Sequence, residues 1–396
     1  MATLKYWVWL SCVVGVRPLV KYRLARELDG PDKAFFAGRD ELIYAGAAPK
    51  EADKLMDKSL AAAERALAWC EENHVDVLTV QDARYPERLR NIPDPPVVLY
   101  IWGKLPPVDE SIYIGVVGTR HPTPYGMRMA ARLGTEIAQG GGIVVSGLAD
   151  GCDGAAMEAA MRAGGVTVGV LGTAIDKVYP AKNKWLFREV RAHGALVSEY
   201  APDMRTFASD FKARNRLISG LSLGVAVAEA PIRSGTRVTV DHALEQGRDV
   251  FAVPGNADVA AAEGCNDLIA HGAIPVTSGG DILAEYEGRL DLLRQKTTST
   301  LIKKQIDKPR DIVYIDKTRG PETAPPPAET SISPAELEKL PEPQRRIMTA
   351  LTRPDMHADD LIEASGLSAA EALAALTMLQ LTGYVTADGK RYTRKL

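Results

Sequence analysis

Glycine-containing turns with hydroxyl and cationic side chains follow two apolar runs in the middle of the chain. Gly118–Arg120 comes directly after Tyr113–Val117, and Ser146–Gly147 follows Ile143–Val145. A glycine lets the backbone approach a ligand closely, and a guanidinium supplies a forked cation. Where such a turn opens a helix, the free backbone amides add partial positive charge. This combination is typical of a site that binds phosphates.

Three further segments carry similar residue types. Lys182 follows Tyr179-Pro180, a basic segment spans Phe211–Arg216, and Ser234–Thr236 stands at a helix start. Each glycine could serve only a tight turn, and each arginine could pair with an acid. Several such turns at one edge of a sheet nevertheless favour an anion site. The cations expected to add charge there are Arg120, Lys212, Arg214 and Arg216.

A sheet must bring these turns to one edge. Between about Ile112 and Tyr286, short apolar runs alternate with helical stretches, which is typical of βαβ units. The predicted strands are Tyr113–Val117, Ile143–Val145, Thr167–Leu171, Ala195–Ser198, Val225–Glu229, Asp249–Val253 and Ile274–Val276. Nearly continuous apolar runs indicate a parallel sheet buried on both faces. We therefore predict an α/β fold with a doubly wound, Rossmann-like sheet that binds ligands at its carboxyl edge.

The remaining segments predict further domains. Gly15-Val16-Arg17 lies between two apolar helical runs and resembles a helix-hairpin-helix, although a purely structural helical bundle is favoured. Near the C-terminus, helical runs precede a hairpin signal at Asp388-Gly389, which is the order of a winged helix. The predicted division is a helical domain at 1–85, the Rossmann-like domain at 86–288, a flexible linker at 289–335 and a winged helix at 336–396.

Composition and missing motifs limit the function classes. The 396 residues carry a net charge of −3, so a nucleic acid would need a local basic patch rather than the overall field. Four scattered cysteines and six histidines lack metal-ligand spacing, so we predict no disulfide and no metal. The chain lacks the P-loop, G-x-S-x-G, H-E-x-x-H and G-x-G-x-x-G motifs. We therefore predict no catalytic residue and no cofactor.

One apolar segment near the N-terminus imitates a secretory signal. Lys5 precedes Tyr6–Val16, which is shorter than the ~20 residues that a membrane span needs. No cleavage site of the A-x-A type follows it. We predict a buried helix here, no membrane contact and a cytoplasmic protein.

The order of motifs resembles that of one family, the DNA-processing protein A (DprA/Smf) family. The similarity runs from about Tyr85 to Ala273 and includes YPERLRNIPDPPVVLYIWG, the GTR turn, SGLADGCD, LGTAIDKVYPAKN, FKARNRLISGLS, VAEAPIRSGT and ALEQGRDVFAVPGN. The resemblance implies a protein that binds and protects incoming single-stranded DNA in natural transformation and helps to load the RecA recombinase. It also implies a homodimer through the Rossmann domain, an N-terminal helical (SAM/helix-hairpin-helix-like) domain and a C-terminal winged helix.

The family's functional residues carry over at matching positions. Gly118–Arg120 matches its phosphate turn, Ser146–Gly147 its second turn, and Phe211–Arg216 its F-x-x-R-N-R helix. Met157 stands where many relatives have His, and Ala181 where many have Lys. The residues expected to bind nucleic acid are Gly118, Thr119, Arg120, Ser146, Gly147, Lys182, Phe211, Lys212, Arg214, Asn215, Arg216, Ser234, Gly235 and Thr236.

Two further expectations concern aromatic stacking and the winged helix. Phe211 or Tyr179 could stack on a base, although a core position is favoured for Phe211. The helix Ser368–Thr382 contains no Lys or Arg, which disfavours reading of a major groove. Lys390-Arg391 and Arg394-Lys395 could touch DNA non-specifically, and a protein–protein role for the winged helix stays open.

Two other functions fit the sequence less well. Ser234–Thr236 with Glu245 faintly resembles phosphoribohydrolases that cleave nucleoside monophosphates, but the first glycines and the Glu spacing of their motif are missing. A regulator whose winged helix reads duplex DNA is the other alternative, and the absence of Lys and Arg from the turn helix argues against it.

Overall fold

The computed structural model describes residues 4–288, 340–351, 356–382, 384–388 and 391–394. The chain divides into two compact units, Met1–Lys308 and Pro309–Leu396, and each has its own hydrophobic core. The predicted linker at 289–335 lies outside the described residues, as do Lys390 and Lys395.

Helices dominate the start of the first unit. They are α1 Leu4–Cys12, α2 Pro18–Glu27, α3 Pro31–Phe36, α4 Arg39–Tyr44, α5 Pro49–Leu55 and α6 Ala61–Glu72. Helix α1 buries Trp7–Leu10, which confirms the buried-helix prediction. The helical prediction for residues 1–85 is wrong at Val75–Thr79, which form strand β1. His74 adopts a left-handed φ of 55°, which ends the helical stretch, and the valine-rich segment after it pairs as a strand.

The rest of this unit is a sheet flanked by helices. The further strands are β2 Val98–Gly103, β3 Tyr113–Val117, β4 Ile143–Ser146, β5 Thr167–Val170, β6 Gly194–Ser198, β7 Gly224–Val227, β8 Asp249–Ala252 and β9 Ile274–Pro275. The further helices are α7 Glu87–Arg90, α8 Pro124–Gln139, α9 Cys152–Arg162, α10 Lys184–His193, α11 Ala208–Leu221, α12 Thr236–Glu245, α13 Glu263–Ala270 and α14 Gly279–Ala284.

Strand order confirms the doubly wound prediction. Within the described residues the sheet runs β1-β2-β6-β5-β4-β3-β7-β8-β9. Strands from β6 to β9 are parallel, and β1 and β2 add an antiparallel edge. Gly115 of β3 is paired with Val145 of β4 on one side and Val225 of β7 on the other. The winding reverses between β3 and β7, so their carboxyl ends border the topological switch point.

The second unit has winged-helix order. Its elements are α15 Glu342–Ala350, β10 Met356–His357, α16 Ala358–Ser365, α17 Ala369–Leu381, β11 Val385–Asp388 and β12 Arg391–Arg394. The antiparallel sheet has the order β10-β12-β11. Ile347, Leu361, Leu376 and Val385 form the core between helices and wing. The strands on either side of the predicted hairpin, β11 and β12, pair antiparallel, with Asp388 opposite Arg391, whereas Gly389 lies outside the described residues.

Candidate nucleic-acid interface

A cavity of about 540 Å³ lies outside the carboxyl ends of β3 and β7. We call it the switch-point cavity, because these strands border the reversal of the sheet. Its walls are the turns after both strands and one face of α11. The predicted residues among its lining are Gly118, Thr119, Arg120, Phe211, Lys212, Arg214, Asn215, Ser234, Gly235 and Thr236. Strand ends distant in sequence therefore bring most of the predicted set together.

Backbone hydrogen bonds fix the turn after β3. The Thr119 amide donates to the carbonyl of Glu229 at 2.8 Å, and the Cys152 amide donates to the carbonyl of Thr119 at 3.2 Å. A Cβ on Gly118 would lie 2.6 Å from Cys152, so the position requires glycine. Arg120 continues this turn with an exposed side chain that has no ion pair among the described residues.

Two buried charged side chains, Asp153 and Arg214, hold Gly147 at the floor of the cavity through its amide and its carbonyl. The Gly147 amide donates to Asp153 Oδ2 at 3.1 Å, and Arg214 Nη1 donates to the Gly147 carbonyl at 3.1 Å. A Cβ on Gly147 would lie 2.6 Å from Arg214 Nη2 and 3.0 Å from Asp153 Oδ2, so glycine leaves room for both. Burial raises the pKa of Asp153, which Arg214 opposes. Burial lowers the pKa of Arg214 to about 10, which Asp153 opposes in turn.

The second predicted turn lies beneath the cavity rather than on its wall. Ser146 is fully buried, and its Oγ donates to the carbonyl of Val116 at 2.6 Å. The amide and the carbonyl of Gly147 are hydrogen-bonded to Asp153 and Arg214. The structure therefore gives Ser146 and Gly147 a bracing position and does not bring them to the cavity surface.

Arg216 corrects an expectation about charge. Its side chain is 1% exposed, with Nε 2.8 Å from Asp94 Oδ2 and Nη2 2.8 Å from Glu199 Oε2. Residues two apart on a helix do not share a face, so Arg216 points away from the cavity that Arg214 lines. Two carboxylates neutralise its guanidinium, and it adds no positive charge to the site.

Two aromatic rings meet at the cavity. The ring centroids of Tyr179 and Phe211 are 5.0 Å apart, with an angle of 51° between the rings. Tyr179 is 53% exposed, whereas Phe211 is half-buried and packs close to Gly172. Tyr179 therefore offers an open ring face, and Phe211 supports it. Lys212, next to Phe211, is exposed and has no ion pair among the described residues.

The turn after β7 presents an open peptide at the start of α12. The Thr236 amide donates to Ser234 Oγ at 3.2 Å, and Ser234 Oγ donates to Thr236 Oγ1 at 3.0 Å. A Cβ on Gly235 would meet open space, so its backbone is accessible. Arg233 precedes this turn, is exposed and lines the cavity without an ion pair among the described residues.

Sequence reasoning missed two basic residues of this lining, Arg233 and His121. Each directly adjoins a predicted turn, His121 after Arg120 and Arg233 before Ser234. A search extended by one residue on either side of each turn would have found both.

Lys182 lies in a different cavity. A groove of about 790 Å³, which we call the α8–α10 groove, has walls from α8, α9 and the start of α10. Lys182 lines it and has its Nζ 2.8 Å from Asp150 Oδ2. Of the two departures from the family pattern, Met157 is fully buried and Ala181 is exposed.

The charges of the switch-point cavity favour an anion. Arg120, Lys212 and Arg233 are exposed cations without ion pairs among the described residues. The acid in the lining, Asp153, is compensated by Arg214. Glu245, the acid that a phosphoribohydrolase would need, is not part of the lining and lies 3.5 Å from His242 at the end of α12.

The turn helix of the winged-helix unit presents a different surface. Ser368 caps α17 by accepting the Glu371 amide at 3.4 Å. Leu373 and Met378 of α17 are large exposed apolar residues. Phosphates attract Lys and Arg, which this helix lacks.

The described residues form neither a membrane-spanning helix nor a cluster of metal ligands. Every helix in the described ranges is too short or too polar to cross a membrane. Those ranges also hold no cluster of three or more His, Cys, Asp or Glu residues placed to bind a metal ion.

Comparisons with known proteins agree with these features. The model of the family described as DNA recombination-mediator protein A matches residues 76–287, and the DprA winged helix domain matches 322–389. Protein Smf of Synechocystis is 33% identical over 98% of both chains. DNA processing protein DprA of Bacillus subtilis is 40% identical over 57% of this chain and 76% of its own length.

A solved structure extends the similarity to the fold. The X-ray structure of DNA processing protein A from Streptococcus pneumoniae matches with a TM-score of 0.64 and 32% identity. The match covers 72% of this chain and 99% of that chain. From its motifs, its doubly wound sheet, its winged helix and these matches, the chain belongs to the DNA recombination-mediator protein A family, whose members process DNA in recombination.

Proposed function

We propose that the chain binds single-stranded DNA in the switch-point cavity. One observation carries the proposal: Arg120, Lys212 and Arg233 come from three separate segments and face one cavity without described ion-pair partners. Proteins that bind single strands use such cationic grooves to follow the phosphates. The accessible peptide at Gly235 adds a helix N-terminus to the same wall.

Base contact in this proposal comes from stacking. The open ring of Tyr179 accepts a base face, and Phe211 holds that ring from behind. Stacking of this kind tolerates every base, because each base has a π-face. We therefore expect binding with little sequence preference.

The small number of free cations sets the salt dependence. Three phosphate contacts on a single strand give a slope of about −2 in a plot of log affinity against log salt concentration. A protein with a net charge of −3 gains little attraction from its overall field. The slope therefore reports the local site.

We propose that binding protects the strand and prepares it for recombination rather than cleaving it. Held phosphates are less accessible to nucleases. Membership of a family described as recombination mediators supports a role in loading RecA onto the bound strand. A direct test compares RecA filament formation, with and without the protein, on single strands covered by a competing binding protein. We expect faster loading, and an unchanged rate would contradict this role.

The domain assignment follows the same division as the sequence. We propose that residues 86–288 carry the DNA site and the homodimer contact, with a helical domain at 1–85, a linker at 289–335 and a winged helix at 336–396. Because Val75–Thr79 (β1) pairs with β2 in the same sheet, the full chain is used to test the dimer. Light scattering should give the mass of a dimer, and the mass of a monomer would contradict the assignment.

Fluorescence anisotropy with labelled poly-dT and a matched duplex across a salt series tests DNA binding. We expect tighter binding to poly-dT and about a tenfold loss for Arg120→Ala across sequences, because a phosphate contact is sequence-independent. Lys50→Ala is a matched control, because Lys50 is an exposed cation of α5 outside the cavity. If Arg120→Ala bound poly-dT as tightly as the unchanged protein, the phosphate assignment would be wrong.

A further inference from the structure

Helix α10 separates the α8–α10 groove, which continues from the switch-point cavity, from a further cavity on its other side. Arg120 and Ala149 line both that cavity and the α8–α10 groove. On the other side of α10 lies a cavity of about 520 Å³, which we call the α10 outer cavity. Trp185 lines both the groove and the outer cavity. Shared walls therefore make one surface path from Arg120, past Lys182, to the far side of α10.

The outer end of this path is basic and aromatic. Lys184, Arg188 and Arg191 of α10 line the outer cavity together with Trp102. The Arg191 guanidinium lies 4.5 Å from the centre of the Trp102 ring. Lys184 is exposed and has no ion pair among the described residues.

Nearby acids do not cancel this charge. Asp176, the acid in the lining, has its carboxylate 3.0 Å from Lys177. Glu189 lies 3.0 Å from Arg188 on the surface of α10. Asp203 also lies 3.9 Å from Lys177. Lys177 and the three lining cations against these three acids leave one net positive charge, which suits a polyanion.

Packing of α10 does not explain Trp185. The helix buries Leu186, Phe187 and Val190 against the sheet. Trp185 is 43% exposed at the border of two cavities. An exposed indole beside cations matches the pairing of aromatic and basic residues that binds single strands.

We propose that a single strand leaving the switch-point cavity continues through the α8–α10 groove and over α10. A base stacks on Trp185, and phosphates contact Lys184, Arg188 and Arg191. This second segment rests on the proposed function, because it extends the same strand. It adds binding only for strands long enough to reach α10.

Strand length separates the two segments experimentally. Affinities are measured by anisotropy for labelled oligo-dT of about 4 and about 15 nucleotides. The variants are Trp185→Ala, Trp185→Phe and Lys184→Glu, with Lys50→Glu as the charge-matched control on α5. Thermal unfolding of each variant establishes that its fold is retained.

We expect Trp185→Ala and Lys184→Glu to weaken the long oligonucleotide about fivefold or more and to leave the short one unchanged. Trp185→Phe should retain most of the affinity, because a phenyl ring still stacks. Unchanged affinity of Trp185→Ala and Lys184→Glu for the long strand would overturn the proposal. Equal losses for both lengths would also overturn it, because α10 would then belong to the first segment.

Arg120→Ala distinguishes this failure from failure of the proposed function. It should weaken both lengths, because Arg120 lines the switch-point cavity. If Arg120→Ala binds both lengths more weakly while the α10 variants bind normally, only the second segment is refuted. If Arg120→Ala binds both lengths as tightly as the unchanged protein, the first site is refuted.

Tryptophan fluorescence gives a second readout. The chain has five tryptophans, and Trp185 is the one among the large exposed apolar residues. A stacked base should quench its emission when the long oligonucleotide binds. The quenching should be absent for the short oligonucleotide and for Trp185→Phe, and equal quenching in Trp185→Phe would count against stacking at this position.

Discussion

The switch-point cavity and helix α17 of the winged-helix unit both occupy places where their folds commonly bind ligands. The cavity lies at the carboxyl edge of a doubly wound sheet, and α17 is the turn helix of a winged helix. The cavity gathers exposed cations from three segments. Helix α17 has no Lys or Arg and exposes Leu373 and Met378.

This difference teaches that architecture and binding are separate questions. A fold sets where a ligand can meet the backbone, whereas unpaired charge and open rings decide which ligand is attracted. Arg214 and Arg216 repeat the lesson within one helix. Both belong to a basic motif, yet internal partners hold both guanidiniums.

The largest effect that we predict is a loss of stability when Asp153, beneath the cavity, is removed. Asp153→Ala removes the carboxylate that faces Arg214 across Gly147 and leaves that buried charge uncompensated. We expect unfolding of the first unit to become easier by about 3–5 kcal/mol. All five tryptophans lie within the first 185 residues, so urea unfolding followed by their fluorescence reports this unit alone.

The matched variant Asp153→Asn keeps the shape and an acceptor for the Gly147 amide. It should lose less stability than Asp153→Ala. Equal urea midpoints for Asp153→Ala and the unchanged protein would show that this carboxylate does not brace the cavity.

The second prediction is that the stability of the first unit depends on pH through a buried lysine that has no counterpart in the helices of the second unit. Lys21 of α2 is buried and donates to the Ser11 carbonyl at 2.6 Å, and burial lowers the pKa of its amine from 10.5 to about 8. The unfolded chain binds this proton more tightly between pH 8 and 10.5. Burial of the protonated Lys21 amine therefore lowers the free energy of unfolding by about 3 kcal/mol below pH 8, and this loss disappears as pH rises to 10.5. The helices α15–α17 contain no lysine.

Comparison of Lys21→Met with the unchanged protein isolates the contribution of Lys21 to the pH dependence of stability. Burial raises the pKa of Cys70, Cys152 and Cys265 to about 12, which lowers stability above pH 9 in both proteins alike. The stability of Lys21→Met relative to the unchanged protein should fall by about 2–3 kcal/mol between pH 7 and 10. A difference that does not change with pH would contradict a buried, protonated Lys21.

The third prediction concerns a variant that lacks the three exposed cations by which the cavity differs from α17. The triple variant Arg120→Ala, Lys212→Ala and Arg233→Ala should bind poly-dT about a hundredfold more weakly at moderate salt. Its salt slope should flatten by about 2. A triple alanine variant at exposed cations of the N-terminal bundle, Arg23, Lys50 and Lys54, is the control. A salt slope equal to that of the unchanged protein would place the phosphate contacts elsewhere.

The smallest effect comes from the other region. Truncation after Pro334 should change poly-dT affinity less than about twofold, because α17 offers no cation to phosphates. Anisotropy of the truncated and full proteins measures this directly. Loss of nearly all affinity would show that DNA binds mainly to the winged helix and not to the switch-point cavity.

Sequence predicted the parts of the cavity that depend on strand ends. Gly118–Arg120 follows an apolar run directly, Ser234–Thr236 comes after Val225–Glu229 with four residues between them, and parallel strands bring such turns to one edge. Arg216 could not be judged in this way, because its partner Asp94 is 122 residues away in the chain. Strand β1 was missed, because the left-handed backbone at His74 that precedes it leaves no reliable signal in the sequence.

The most direct test of the central claim maps where a single strand touches the protein. Ultraviolet crosslinking with oligonucleotides that carry 5-bromodeoxyuridine, followed by mass spectrometry, identifies the contacting peptides. The switch-point account expects crosslinks in peptides that contain Tyr179 and Phe211, and their loss in the triple variant. Crosslinks confined to residues 340–394 would contradict it.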